Sequence, residues 1–253
     1  MTTLNPETTL HIHKGRGAVS NQASRFVPTV SQPVDDGWDL EEPETSSPET
    51  TLLPDRTVRL ITRNRSPDIP FDRSINPYKG CEHGCVYCFA RPTHAYLDLS
   101  PGLDFETRIF FKTDVRRHLE AELSKKGYEC RPIAMGTNTD PYQPAEREQK
   151  ITRRILETLL EWQHPVTIVT KSQLVLRDMD LLTALAERQL VHVNVSLTTL
   201  DKTLKTRLEP RTASPAARLR TLEALASAGV PVGAMVAPVI PFLNDQEIEA
   251  IVA

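Results

Sequence analysis

The chain has 253 residues, 30 Lys and Arg against 33 Asp and Glu, 39% apolar residues, 20 prolines and four cysteines. At roughly 150 residues per domain it holds one large domain or two small ones, and it is long enough to bury a sizeable core. The composition excludes collagen, a coiled coil and a wholly disordered chain, and the start MTTLNPETTL lacks the basic and apolar run of a secretory signal. Four unevenly spaced cysteines do not suggest a disulfide scaffold, so a reducing, cytoplasmic location is expected.

Residues 1–55 carry nine acids and only three bases, which leaves 27 bases and 24 acids for the rest. The stretch DDGWDLEEPETSSPETTLLPD is acidic, rich in Pro, Ser and Thr, and nearly free of β-branched apolar residues. Such a segment cannot offset its own ordering entropy, so residues 1–55 are expected to form a mobile acidic arm, with residues 56–253 as the core. The alternative is that Trp38 and GRGAVSNQASRF (15–26) dock on the body or on a partner.

From about residue 73 short β-rich runs alternate with amphipathic helical runs. The expected strands are Arg73–Gly80, Arg131–Thr137, Pro165–Lys171, Val191–Thr199 and Pro231–Ile240, with RIFFK (108–112) as an additional short strand. Asp114 is placed to cap a helix with Val115, Leu119 and Leu123 on one face, ended by Gly127. Ile151, Ile155, Leu156, Leu159 and Leu160 stripe a second helix, and Leu181, Leu182, Leu185 and Ala186 a third. A fourth has Ser214 as cap, Pro215 in its first turn, Leu219, Leu222 and Leu225 inward, and Gly229 past its end. This alternation predicts an α/β fold around a parallel sheet. The uncharged residues 224–244 are interrupted by Gly229, Pro231, Gly233, Pro238 and Pro241, so no membrane span is expected. A fifth helix opens at Asn244-Asp245, with Ile248, Ile251 and Val252 as its apolar face. Only five βα units are visible, fewer than a closed barrel needs, and the chain is expected to be a fragment of a longer protein.

The strongest chemical signal is Cys81-Glu-His-Gly-Cys85-Val-Tyr-Cys88, in the loop after the first strand. Three thiolates at this spacing can converge on one centre, with Gly84 permitting the turn. A structural zinc site would need a fourth ligand, from His83 or the distant Cys130. A [4Fe–4S] cluster on three thiolates leaves one iron open. The loop opens a βα series at the end where parallel α/β folds place their active sites, which favours the open cluster.

C-x3-C-x2-C with an aromatic residue before the last cysteine resembles the radical S-adenosylmethionine (radical SAM) superfamily. NPYKGCEHGCVYCFARPTHAY (76–96), GTNTDPYQPAE (136–146), TKSQLVLRDMDLL (170–182), VSLTTLD (195–201), LEPRTASP (208–215) and APVIPFLND (237–245) look similar to its spore photoproduct lyase-like branch. The resemblance implies a partial (β/α)6-type barrel, truncated here after about five βα units. It also implies a [4Fe–4S] cluster on Cys81, Cys85 and Cys88 whose open iron chelates S-adenosylmethionine. Reductive cleavage of that cosubstrate yields a 5′-deoxyadenosyl radical that abstracts hydrogen from a substrate. The electron would come from a donor such as a flavodoxin or ferredoxin.

Carried over residue by residue, Tyr87 meets the adenine through its backbone. Gly136, Thr137, Asn138 and Thr139 receive the methionine ammonium without the family's usual Gly-Gly-Glu. Lys171 takes the methionine carboxylate, Ser196 the ribose, Arg211 a second carboxylate contact, and Val239 with Ile240 the adenine face. Arg211 could instead pair with Glu209, and His83 reads as loop structure. Asp140 and Tyr142 are candidate catalytic residues on the substrate side. The resemblance breaks at Thr137, which stands where the lyase has its hydrogen-donating cysteine. Cys130, at the other end of that strand, lies roughly 23 Å away at ~3.3 Å per residue and is expected to be a buried structural thiol. A nucleic-acid substrate is a candidate. Arg63, Arg65, Arg116 and Arg117 would tolerate phosphate, yet they form no dense basic stripe. The alternative is a non-catalytic metal-binding interaction protein.

Overall fold

The computed structural model describes residues 15–26 and 48–252. Its elements in chain order are β1 (Thr51–Asp55), β2 (Thr62–Arg63), β3 (Arg73–Ile75), β4 (Tyr78–Lys79), α1 (Asp104–Thr107), β5 (Arg108–Lys112), α2 (Val115–Leu123), β6 (Ile133–Met135), α3 (Glu146–Gln149), α4 (Ile151–Glu161), β7 (Val166–Thr170), α5 (Met179–Ala186), β8 (Val191–Ser196), α6 (Lys202–Leu208), α7 (Pro215–Ser227), β9 (Val232–Met235) and α8 (Ile248–Val252).

Strands β3, β6, β7, β8 and β9 run parallel in that order, with β2 antiparallel on the β3 edge. These are the five units of the expected partial barrel. The register aligns Ile75, Met135, Ile168 and Val193 in one row across the sheet, and all four are 0% exposed. Each such burial contributes about 2 kcal/mol before entropy is counted. Helices α4 and α5 cover the sheet with the stripes that their periodicity gives, Ile151, Ile155, Leu156 and Leu159 on one and Leu181, Leu182 and Leu185 on the other.

Several expectations are corrected. The run Arg73–Gly80 is two strands, because Pro77 has no amide hydrogen to continue a ladder. After it the chain turns away, and β4 pairs antiparallel with β5. Asp114 adopts a positive φ of 49° and makes no side-chain cap bond. Ser214 does cap α7, accepting from the Ala217 amide at 3.2 Å, but the inward face of that helix is not the leucine stripe. Arg218, Thr221 and Leu225 are buried while Leu219 is 43% exposed. A buried ion pair of Arg218, described below, sets the rotation of the helix. Cys130 is exposed rather than buried.

The acidic arm is corrected where it can be seen. Residues 51–55 form β1, parallel to β5 from Thr51 opposite Arg108 to Asp55 opposite Lys112. Residues 15–26 pack on the body, with Arg16, Ala18 and Ser24 buried. Trp38 and the remainder of the expected arm lie outside the described residues. Among the described residues no helix is long and apolar enough to cross a membrane.

Candidate functional site

The loop after β4 and the C-terminal ends of β6 and β7 converge on one cavity. It is lined by Cys81, His83, Cys85, Tyr87, Cys88, Phe89 and Ala90 from the loop after β4, by Gly136–Asp140 after β6, and by Val169, Thr170 and Lys171 at the end of β7. The placement follows from the sheet. Neighbouring parallel strands end on the same rim, so β6 and β7 hand their next residues to the same cavity. Gly136, with φ +94°, is required there, because a Cβ at this position would lie 2.2 Å from the Val169 carbonyl oxygen.

Burial pushes the Cys81 thiol well up, and it pushes the Cys85 thiol up to about 12. Left alone these sulfurs keep their protons; a cation in the cavity would remove them. Among the described residues no three His, Cys, Asp or Glu side chains gather closely enough to hold one metal ion. A four-iron cube binds each thiolate at a different iron, so three thiols spread around one cavity fit it better than they fit a single zinc.

Asp140 is the hub of the polar wall. Its carboxylate accepts from the Thr170 hydroxyl (2.7 Å), the Lys171 amide (2.7 Å) and the Tyr142 amide (2.8 Å). His83 Nδ1 lies 3.3 Å away. Burial alone would raise the Asp140 pKa, but His83 and these donors outweigh it and hold the acid at about 2. Asp140 thus ties the cysteine loop to β7, and its carboxylate is already committed to three donors. Asn76 fixes the next segment, with Oδ1 accepting from the Asn138 amide at 3.0 Å and Nδ2 donating to the Thr137 hydroxyl at 3.1 Å.

Lys171 carries its ammonium 5.9 Å from the centre of the Tyr87 ring and 3.9 Å from Glu209. Glu209 is 0% exposed and accepts from the hydroxyls of Tyr87 and Thr198 and from the Arg218 guanidinium. Burial opposes its charge, and Arg218 and Lys171 more than compensate, so its pKa is lowered. Arg218, itself 1% exposed, also donates to the Ser196 carbonyl at 2.8 Å.

Of the residues singled out in the sequence, Cys81, His83, Cys85, Cys88, Tyr87, Gly136, Thr137, Asn138, Thr139, Asp140 and Lys171 share the cavity. The others do not line it. Tyr142 is fully buried in the core and its hydroxyl has no hydrogen-bond partner. Ser196 is 1% exposed at the end of β8. Arg211 stands beside the cysteine loop, but its partner is Glu82 at 3.3 Å rather than Glu209. Val239 is 44% exposed, and the Ile240 amide donates to Asn244 Oδ1 at 2.6 Å. Sequence reasoning missed Phe89, 78% exposed at the cavity mouth, and the Glu209–Arg218 pair behind Lys171. Nine residues separate that pair, across a helix boundary, so no local pattern announces it.

A parallel α/β sheet with a three-thiol loop at its C-terminal rim fits an iron–sulfur type of site. The sequence profile of the Radical SAM superfamily matches residues 75–253, and the chain belongs to that superfamily, which uses a [4Fe–4S] cluster and S-adenosylmethionine. An uncharacterised protein of Mycobacterium tuberculosis (strain ATCC 25618 / H37Rv) is 43% identical over 177 residues, covering 70% of this chain and 52% of that protein. One of Methanocaldococcus jannaschii is 31% identical over 173 residues, covering 68% and 62%. The chain thus spans about half the length of the mycobacterial relative. Among solved structures it resembles spore photoproduct lyase complexed with dinucleoside spore photoproduct, with TM-score 0.55 and 17% identity over 75% of this chain and 52% of that one. A substituted form of that lyase with bound AdoMet and dinucleoside spore photoproduct gives TM-score 0.53, 18% identity, and coverage of 74% and 51%. At these identities the likeness is one of fold.

Proposed function

We propose that this chain is the catalytic barrel of a radical SAM enzyme, with Cys81, Cys85 and Cys88 as cluster ligands. The observation that carries the reading is that the three thiols, the Thr137–Asn138–Thr139 segment and Lys171 line one cavity at the strand ends. When bound, the cluster and its cosubstrate would supply a 5′-deoxyadenosyl radical able to take hydrogen from a substrate.

The protein's part is binding and orientation. Oxygens of the Thr137–Thr139 segment can accept from an ammonium, and Lys171 can face a carboxylate. Its 3.9 Å distance to Glu209 is outside hydrogen-bond range, which leaves the ammonium free to turn toward an incoming anion while still neutralised. Tyr87 lines the cavity and is anchored through its hydroxyl by Glu209. Asp140 acts as a positioning residue.

Two features bear on the substrate. The structural neighbour binds a nucleic-acid lesion, which makes such a lesion a candidate here. Thr137 offers a hydroxyl at the cavity wall, and an O–H bond is far stronger than a thiol S–H, so this position supplies no thiol hydrogen donor. The surface adds little attraction for phosphate at Arg116, which is already paired with Glu120 at 3.0 Å and Glu161 at 2.5 Å. A reductant such as a flavodoxin or ferredoxin is the expected partner.

The test is anaerobic reconstitution with iron and sulfide, then dithionite and S-adenosylmethionine. The reading expects 5′-deoxyadenosine and methionine, both lost in Cys85→Ala. A wild-type protein that binds iron and cleaves nothing contradicts it.

A further inference from the structure

The cysteine loop, residues 81–88, contains no regular secondary structure, so its shape depends on what grips it. From the barrel side Gln143 Oε1 accepts from the Glu82 amide at 3.0 Å, and the Val86 amide donates to the Leu208 carbonyl at 3.0 Å. From the other side the grip comes from the N-terminal segment that the composition assigned to a mobile arm.

Glu106, 0% exposed, is the centre of that grip. Its carboxylate accepts from the Ala18 amide at 2.7 Å and the Gly17 amide at 3.1 Å. It also holds the Arg91 guanidinium at 2.6 Å, and the same nitrogen of Arg91 donates to the Cys85 carbonyl at 3.0 Å. Arg16 closes the arrangement. It donates to the Glu106 carbonyl at 2.8 Å, the Pro48 carbonyl at 2.7 Å and the Thr50 hydroxyl at 3.0 Å, and Thr50 in turn donates to Glu82 at 2.8 Å. Gly17 lies against the loop so closely that a Cβ there would sit 1.8 Å from the Gly84 carbonyl oxygen. A bare N-terminal strap therefore touches the backbone between the first two cysteines and satisfies the buried acid that orients a cation on the second.

We propose that residues 16–18 are a latch on the cysteine loop: by satisfying Glu106 they hold Arg91 on the Cys85 carbonyl, and so set both the seat and the reduction potential of a cluster bound there. This rests on the reading of the three cysteines as cluster ligands. The electrostatic consequence has a sign. Reduction adds one negative charge to the cluster, so removing the Glu106 charge favours the reduced form and raises the potential.

The experiment uses the full chain, reconstituted anaerobically as wild type, Arg16→Ala, Arg16→Lys, Gly17→Ala and Glu106→Gln. Potentiometric titration followed by electron paramagnetic resonance reads the potential, and transfer of iron to a ferrous chelator reads the seat. A thermal melt of each iron-free protein reports folding separately. The latch predicts a positive shift of potential in Glu106→Gln, iron loss roughly tenfold faster or more in Arg16→Ala and Gly17→Ala, and partial recovery in Arg16→Lys. Variants that melt earlier yet keep the wild-type potential and iron-loss rate would reduce the strap to a structural brace and overturn the proposal. A wild-type chain that takes up no iron would remove the cluster reading itself, and the latch with it.

Discussion

Glu209 shows what the residue scale adds. In the sequence it sits two places from Arg211, and pairing with that neighbour is the alternative to a ligand-binding role for Arg211. The chain instead buries Glu209 against Arg218 and sends Arg211 to Glu82. The buried pair is stable only as a pair, because either charge alone would be left desolvated. Glu209→Ala is therefore expected to lower unfolding free energy by roughly 3–5 kcal/mol, measured by urea denaturation. A loss below about 1 kcal/mol would put it in the class of exposed pairs and contradict the burial argument. Lys171 carries a second prediction. In reconstituted protein Lys171→Met should weaken S-adenosylhomocysteine binding by roughly tenfold to a hundredfold, the range of one hydrogen bond to a charged group. Unchanged affinity would show that the ammonium does not face the ligand's carboxylate. The cysteines, the 136–139 segment and Lys171 were legible because their spacing or strand-end position is local in sequence. Tyr142 and Ser196 do not line the cavity, and local sequence does not say which side of a rim residue faces it.

At the scale of elements, the strands legible in sequence were those whose alternation is written in β-branched residues. VTIVT and VHVNVS form β7 and β8, each within three residues of the expected bounds. β1 was not legible. TLLPD follows an acidic run and contains a proline, and only pairing with β5, more than fifty residues onward, makes it a strand. An edge strand tolerates that proline. Its last residue, Asp55, joins the small sheet electrostatically, 2.8 Å from Lys112 Nζ and 3.1 Å from Lys79 Nζ. Burial would raise the Asp55 pKa, but the ion pair with Lys112 and the hydrogen bonds from Thr57 outweigh it and hold the acid well below the usual carboxylate range. A depressed folded pKa means stability that is fully present above the unfolded value of about 3.9 and lost as pH falls through the folded one. The melting temperature of wild type should thus exceed that of Asp55→Asn by a constant margin above about pH 5, and the margin should close below about pH 4. A margin independent of pH would contradict the ion-pair origin.

At the scale of the whole molecule, α/β alternation gave the parallel sheet, its five units and the rim on which the site stands. Composition misjudged the N-terminal region in the stretches that can be seen, because ordering there comes from long-range partners: Glu106 for residues 16–18 and β5 for residues 51–55. Barrel, strap and cysteine loop together form one arrangement, and on the reading proposed above it holds three thiolates around a cluster with one iron open to S-adenosylmethionine. The most direct measurement is iron, sulfide and zinc content of the anaerobically reconstituted chain, with electron paramagnetic resonance of the reduced protein before and after adding S-adenosylmethionine. About four irons and four sulfides per chain, with a signal that changes on adding S-adenosylmethionine, is the expected result. About one zinc per chain, no sulfide, and no signal would contradict it.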